Sequence, residues 1–222
     1  MRIVRRVDER WATFDCYGTL IDWNGGIRAQ LARLWPDEEA DALLRCYHEV
    51  EPQVEHEEPS SSYREVMRRV LARLGEVPPG EEDALGQSLP HWSAFREVPA
   101  SLGELRARGW KLAILSNTDG DFIEASMRQI GVPFELAIVA SEIRSYKPER
   151  RHWLKFFEET DASRDAHVHV AQSHFHDVVP AGELGLRTIW INRYGERHDP
   201  PPNRELSDLS RLADTLDELV PA

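Results

Sequence analysis

The chain has 222 residues, a formal net charge of −12 at pH 7 and 41% hydrophobic residues. This length suits one domain, or one domain with an insertion, and allows a core that needs neither a metal nor a disulfide to fold. The negative charge disfavours nucleic acid and anionic membranes as partners, but not a small anionic substrate that binds in a locally basic cleft. The chain has no apolar run long enough to span a bilayer, no signal segment and only two cysteines. We therefore expect a cytoplasmic protein acting on a small anionic molecule, with a homodimer left open.

Five short apolar segments predict the strands of a sheet. They are residues 11–17, 111–117, 135–141, 167–173 and 187–192. Most of these segments are nearly continuous in apolar residues, which is typical of strands covered by helices on both faces. Helical segments alternate with the later strands, and this alternation predicts an α/β fold built on a doubly wound parallel sheet.

The helical segments carry their own start and stop signals. "SLGELRARG" has a capping box at Ser101 and Glu104, which predicts a helix that begins there and ends at Gly109. "DFIEASMRQIG" also ends on a glycine, and "ERRHWLKFFEE" fills the next interval. The carboxyl-terminal segment places four leucines on one helix face: Leu209, Leu212, Leu216 and Leu219.

The interval between the first strand and Leu112 has helical periodicity and no convincing strand. Its first helical segment is "EEADALLRCYHEV", and its second, "SSYREVMRRVLARLG", begins with a capping box at Ser62 and Glu65. We predict a helical cap domain over residues 23–97, inserted into a core domain formed by residues 1–22 and 98–222. Ligands bind at the carboxyl ends of strands in such folds, so the cap would act as a lid. The acidic run predicts a solvated face; it comprises Glu49, Glu51, Glu55, Glu57 and Glu58.

Chemically useful side chains follow four of the predicted strands. Asp15 ends the first, Ser116 and Asn117 end the second, Lys147 follows the third, and Asp177 follows the fourth. Taken alone, Asp15 could simply cap its turn. A carboxylate, a hydroxyl, an ammonium and a second carboxylate at one edge of a sheet instead favour nucleophilic catalysis by an aspartate through a covalent intermediate.

The segments "FDCYGTLID", "ILSN", "YKP" and "SHFHD" resemble, in this order, the four motifs of the haloacid dehalogenase-like hydrolases. The helical interval after the first segment resembles that family's cap. The resemblance implies a Rossmann-like core in which Asp15 is the nucleophile. It also implies that Ser116 and Lys147 orient and neutralise Asp15, and that Asp177 acts near the attacking water.

Two departures separate the chain from the phosphatases of that family. Tyr17 stands where they usually carry a second aspartate that serves as general acid and base, and Gln172 stands where an aspartate helps to hold magnesium. Attack on carbon with loss of a halide needs neither acid. The resemblance therefore implies displacement of halide from a short 2-haloacid without a cofactor, whereas Mg²⁺ would be needed under the phosphatase alternative.

The first motif is most similar to the 2-haloacid dehalogenase (type II) branch, which it resembles at Asp15, Tyr17, Thr19 and Leu20. That branch has a cap arginine that receives the halide, and Arg45, 30 residues after Asp15, is the candidate here; a solvated arginine is the competing interpretation. We also predict substrate contacts by six further residues: Tyr17, Thr19, Asn117, Ser173, His174 and His176.

The two histidines replace an asparagine and a tryptophan of the branch, so we expect a different pocket. With His167 and His169, these two histidines could form a metal cluster. Ordinary histidines of a strand and a loop are the favoured interpretation.

Three hypotheses follow from these observations. The first is a metal-independent hydrolase that displaces halide through an ester on Asp15. The second is a magnesium-dependent phosphatase of the same superfamily, and the third is a binding protein that keeps the fold without turnover. Tyr17 and Gln172 favour the first over the second, and the presence of Asp15, Lys147 and Asp177 counts against the third.

Overall fold

The computed structural model describes residues 9–222, and a six-stranded parallel sheet lies at their centre. Its strands are β1 (Trp11–Phe14), β2 (Lys111–Ser116), β3 (Leu136–Val139), β4 (His167–Ala171), β5 (Arg187–Ile191) and β6 (Arg204–Leu206). Their order across the sheet is β3-β2-β1-β4-β5-β6, and every neighbouring pair is parallel. The predicted fold class is confirmed, and the five predicted strands are present. The sixth strand was missed because it is a short, mostly exposed edge strand without an apolar run.

The described chain also forms ten α-helices. They are α1 (Trp23–Leu34), α2 (Ala40–Glu57), α3 (Tyr63–Leu74), α4 (Ala84–Ser88), α5 (Val98–Ala107), α6 (Gly120–Ile130), α7 (Ala140–Ile143), α8 (Arg151–Thr160), α9 (Val179–Glu183) and α10 (Leu212–Leu219). None of the helices within residues 9–222 is both long and apolar enough to cross a membrane.

Helices cover both faces of the sheet because successive residues of a strand point to opposite sides. Phe14 and Ala12 of β1 belong to the core shared with α5, α6 and α10. Trp11 points to the other face, where its ring meets that of Phe156 from α8 at a centroid distance of 5.3 Å. Asp15 lies at the carboxyl end of this central strand, between the ends of β2 and β4.

The prediction of a capping box at Ser101 and Glu104 is wrong. α5 begins three residues earlier, at Val98, with Pro99 in its first turn, and the Ser101 backbone N–H already donates to the Glu97 carbonyl at 3.0 Å. Proline is well suited to the first turn of a helix because that turn needs no donor from it. The capping serine predicted for α3 is confirmed, since Ser62 Oγ accepts from the Glu65 N–H at 3.2 Å.

Helices α1 to α4 lie between β1 and α5, where we propose a cap domain over residues 23–97. The apolar positions of α3 are largely buried, with Val66 fully enclosed. In α2, Tyr47 is fully enclosed, whereas Leu43, Leu44 and Val50 are half-buried. The prediction of a solvated acidic face is wrong for two members of the run. Glu51 and Glu55 lie on the inner side of α2 and are 8% and 6% exposed.

A close contact fixes α1 against the segment that leads back to the core. Gly26, on α1, lies directly against the indole ring of Trp92, and a β-carbon at position 26 would overlap that ring. Gly103, on α5, has no atom within 4 Å of the place its β-carbon would occupy. The two helical glycines therefore differ in the space around them and share the same helix-propensity cost.

We expect Gly26→Ala to lower the free energy of unfolding by about 1–3 kcal/mol, because the added methyl overpacks the Trp92 contact. Gly103→Ala is the matched control, and it should raise the same quantity by about 0.5–1 kcal/mol through helix propensity alone. Urea denaturation followed by circular dichroism measures both changes. Equal effects of the two substitutions would contradict the packing described for α1.

Candidate active site

The site is organised around Lys147, whose side chain is 1% exposed. Its ammonium nitrogen lies 3.0 Å from Asp15 Oδ1 and 2.6 Å from Asp177 Oδ1, and it also donates to the Leu115 carbonyl at 2.9 Å. Asp15 ends β1, Lys147 follows β3, and Asp177 follows β4. The parallel sheet thus brings three separate strand ends to one buried ion-pair network.

The loop that carries Lys147 is held by the side chain of Asn117, directly after β2. Asn117 Oδ1 accepts from the Lys147 backbone N–H at 2.6 Å, and Asn117 Nδ2 donates to the Lys147 carbonyl at 3.0 Å. Through these two bonds the side-chain amide pairs with the backbone of the loop in the same way as a neighbouring β-strand would. Asn117 therefore positions the lysine.

Burial and the ion pairs shift the pKa values of the three groups. Burial raises the pKa of Asp15, and the Lys147 ammonium and the Thr19 hydroxyl oppose that shift. Burial likewise disfavours the charge of Asp177, but Lys147 and His169 hold its pKa down at about 2. Burial opposes the charge of Lys147, and the two carboxylates outweigh it and raise the lysine pKa. Asp177 is thus an anion at neutral pH and Lys147 a cation.

A chain of buried hydrogen bonds supports Asp177 from the α8 side of the sheet. His169 Nε2 lies 2.9 Å from Asp177 Oδ1, and His169 Nδ1 lies 2.8 Å from Thr13 Oγ1, which in turn lies 2.9 Å from His167 Nε2. Because an ionised carboxylate only accepts, His169 donates to Asp177 through Nε2. Among residues 9–222, no group of three His, Cys, Asp or Glu side chains is arranged to hold a metal ion.

Two polar atoms at the site have no protein partner within the described residues. Asp177 Oδ2 and Ser116 Oγ are both buried and accept or donate no hydrogen bond. Thr19 Oγ1 meanwhile donates to Asp15 Oδ2 at 2.7 Å. Buried polar groups are normally paired, so the two free atoms indicate places where a water or a substrate atom binds.

These groups form the floor of a cavity of about 330 Å³ at the carboxyl ends of the strands. Eight predicted site residues line it: Asp15, Tyr17, Ser116, Asn117, Lys147, Ser173, His176 and Asp177. Thr19 lies just beneath, bonded to Asp15. His176 is fixed by Ser173, whose Oγ lies 3.0 Å from the histidine Nδ1.

The structure places two predicted residues outside the cavity. Arg45 is on the outer side of α2, where its side chain is 69% exposed and pairs with Glu39 at 3.5 Å. This position agrees with the competing interpretation of Arg45 as a solvated arginine. His174 points away toward the 198–200 loop, where its Nε2 lies 2.8 Å from the Pro200 carbonyl and its ring stacks on His198. In the π-helical turn at 174–178, the side chains of His174 and His176 point to different sides, so His176 lines the cavity and His174 does not.

The cavity wall opposite the floor includes residues that the sequence analysis missed. They are Trp23, Asn24, His48, Glu51, Pro52, Glu55, Tyr63, Tyr194 and Glu196, with Gln172 near the floor. The sequence contains a pattern that predicts burial of Glu51 and Glu55. They continue the stripe of Tyr47 at the i+4 and i+8 positions, so the periodicity that buries the tyrosine also turns the two acids inward.

Tyr17 and Gln172 do not supply what a magnesium-dependent phosphatase needs. The Tyr17 hydroxyl bonds with Ser126 Oγ at 2.9 Å, and burial raises its pKa well above the ordinary value. The Gln172 amide lies against Gly18. Magnesium prefers several oxygen ligands that include carboxylates. Both oxygens of Asp15 and Asp177 Oδ1 are already bonded, which leaves Asp177 Oδ2 as the one unbonded carboxylate oxygen that residues 9–222 supply to the floor, so this donor set does not fit the ion.

The comparisons with known proteins agree with this geometry. Residues 10–171 match the family model for the haloacid dehalogenase-like hydrolase. The chain belongs to the haloacid dehalogenase-like hydrolase family. It is 27% identical to the (S)-2-haloacid dehalogenase H-109 of Pseudomonas putida, with 91% of this chain and 96% of that protein covered. It is also 29% identical to the haloacetate dehalogenase H-2 of a Moraxella species, with 84% and 87% covered.

A solved structure shares the fold of this hydrolase. The L-2-haloacid dehalogenase from Xanthobacter autotrophicus with chloropropionic acid covalently bound superposes with a TM-score of 0.83 at 18% identity. The alignment covers 93% of this chain and 98% of that one. The likeness extends over the parallel sheet and the helices above it.

Replacing Lys147 by methionine should leave two buried carboxylates without a counter-charge. We expect Lys147→Met to lower the free energy of unfolding at pH 7 by about 3–5 kcal/mol. Asp177 has a lowered pKa, so its stabilisation is present above the unfolded value near 4 and is lost as the pH falls through about 2. In the variant, Lys147 no longer lowers the pKa of Asp177. Protonation of the two carboxylates should therefore restore part of the lost free energy of unfolding by about pH 5.

Urea denaturation at both pH values measures this difference. Lys155→Met is the matched control, because Lys155 is 40% exposed and pairs with the surface residues Glu158 and Glu159. Its effect should stay within about 0.5 kcal/mol. A loss for Lys147→Met that is the same at both pH values would contradict the ion-pair network as its cause.

Proposed function

We propose that this hydrolase displaces halide from a short 2-haloacid through a covalent ester on Asp15 and then hydrolyses the ester to the 2-hydroxy acid. The observation that carries the proposal is the Asp15–Lys147–Asp177 network on the floor of the cavity, with the neighbouring Tyr17 and Gln172 unsuited to phosphoryl transfer. The relatives compared above are dehalogenases of 2-haloacids and of haloacetate, which supports the same reaction for this chain.

The first step forms one bond and breaks one. Asp15 Oδ2, held by Thr19, or Oδ1, held by Lys147, attacks the carbon that bears the halogen, and the halide leaves with the bonding electron pair. No proton is transferred in this step. Lys147 orients the attacking carboxylate and offsets the charge of Asp177, which would otherwise repel the incoming anion. The hydroxyl of Ser116, which has no partner among residues 9–222, would bond with the substrate.

The second step returns the aspartate. Water bound at the free Oδ2 of Asp177 attacks the ester carbonyl, Asp177 accepts its proton, and the bond between the acyl carbon and the substrate oxygen breaks. The oxygen left on the substrate takes the proton from Asp177, which gives the 2-hydroxy acid. The carboxylic acid formed on Asp15 releases the second proton of the water to solvent, so both aspartates are again carboxylates. Because Lys147 and His169 both bond to Asp177 Oδ1, its other oxygen stays available to the water.

We expect Asp15→Asn to abolish release of halide while the protein stays folded, because an amide is a very weak nucleophile. Arg45→Ala is the matched control. Its exposed position predicts a kcat within about threefold of the wild type, as for other surface substitutions. Halide release from fluoro-, chloro- and bromoacetate measures both, with mass spectrometry to exclude deamidation of the asparagine. Turnover by the undeamidated variant would rule out the covalent mechanism, and a large loss in Arg45→Ala would return the arginine to the site.

We also expect halide release to survive EDTA, because the donor atoms at the floor do not fit magnesium. The measurement compares halide release with phosphate release from a generic phosphate ester, each with chelator and with magnesium. Phosphate release that stops on chelation and returns with magnesium, without halide release, would favour the phosphatase alternative. Absence of both activities would favour the binding protein.

A further inference from the structure

Two carboxyl groups of α2 face the catalytic floor across the cavity. Glu51 and Glu55 are one helical turn apart, both line the cavity, and their residues are 8% and 6% exposed. Glu55 Oε2 lies 3.4 Å from Asn117 Nδ2 and 4.0 Å from His176 Nε2, which places it beside the floor. The mechanism proposed above uses neither acid.

Each of these carboxyl groups keeps one oxygen free. Glu51 Oε1 accepts from the hydroxyl of Tyr63 at 2.6 Å and from that of Tyr47 at 3.4 Å. Its Oε2 and the Oε1 of Glu55 accept no hydrogen bond from residues 9–222. The tyrosines therefore hold Glu51 in place from one side and leave its second oxygen available to a ligand.

The cavity has too few positive charges for its acids. Among residues 9–222, Lys147 is the one lysine or arginine that lines the cavity, and its ammonium already bonds with Asp15 and Asp177. Burial lowers the pKa of His176 to about 4, so this histidine is neutral. Burial raises the pKa of Glu51 to about 7, and burial with the neighbouring Glu51 raises that of Glu55 well above its ordinary value. A cation between the two acids would supply the missing charge.

The remaining lining side chains suit an organic cation. The indole of Trp23 and the rings of Tyr63 and Tyr17 line the cavity beside the acids, and aromatic faces attract ammonium groups. A second observation points to a ligand in the same space. Ser116 Oγ, in a residue that is 1% exposed, lines the cavity and has no partner among the described residues.

We propose that the substrate of this site carries a positively charged nitrogen, which Glu51 and Glu55 bind beneath the rings of Trp23 and Tyr63 while Asp15 faces the reacting carbon. The inference rests on the proposed function for its reaction and adds the class of substrate, a haloacid that is also an amine. The ammonium balances the acids of the cap wall, whereas the carboxylate of the haloacid lies toward Ser116.

Matched ligands test the binding without relying on turnover. Titration calorimetry with the wild-type protein compares 3-amino-2-hydroxypropanoate with 2-hydroxybutanoate, which has a methyl group in place of the ammonium. We expect the amine to bind at least about tenfold more tightly. Chloride release from 3-amino-2-chloropropanoate and 2-chlorobutanoate, corrected for the uncatalysed rate, should show the same preference in kcat/KM.

The variants Glu51→Gln and Glu55→Gln keep the size and the accepting oxygen of each side chain and remove its charge. Each should reduce the preference for the amine by about tenfold and leave binding of 2-hydroxybutanoate, which lacks the ammonium, within about threefold. Glu49→Gln, on the exposed side of the same helix, is the control and should change neither. Unchanged circular dichroism would show that the variants remain folded.

The outcomes separate this inference from the function on which it rests. Equal binding of the two hydroxy acids to the wild type would overturn the cation site, whether or not chloride is released. Preferential binding of the amine that depends on Glu51 and Glu55, without chloride release from either haloacid, would support the site and overturn the dehalogenase function.

Discussion

The site depends on one buried ammonium held between two carboxylates. Two buried anions at this spacing would repel each other strongly, and Lys147 makes their approach favourable. The arrangement requires the carboxyl ends of β1, β3 and β4 to meet, which the strand order of the sheet provides. It also requires the lysine loop to be rigid, and Asn117 holds that loop through both atoms of its amide.

The floor of the cavity and the wall opposite it carry different kinds of side chain. The floor comes from the strand ends of the sheet and carries the atoms that would react. The opposite wall comes largely from α1, α2 and α3 and carries aromatic rings and two acids that do not belong to the ion-pair network. A chain can therefore keep the chemistry of a family while the helices above the floor change the molecule that is admitted.

Much of the floor could be predicted because it follows from local patterns. An apolar run that ends in Asp15, and others that lead to Ser116 and Asp177, predict strand ends that converge on one edge of a parallel sheet. The start of α5 was predicted wrongly from a serine, since Pro99 allows the helix to begin three residues earlier. His174 was assigned to the pocket with its neighbours, although the tight turn at 174–178 sends it elsewhere.

The sequence by itself determined the alternation of strands and helices, the doubly wound class and the residues that end the strands, because these depend on short-range periodicity. The periodicity of α2 places Tyr47, Glu51 and Glu55 on one side of the helix, and only the tertiary structure decided that this side faces the floor. At about 100° per residue, Arg45 lies about 200° around that helix from Tyr47, so packing of the tyrosine against α1 and α3 turns the arginine to solvent. The same rotation buries Glu51 and Glu55. The charge of the cap wall is therefore set by how the helices pack, which the spacing from Asp15 to Arg45 does not encode.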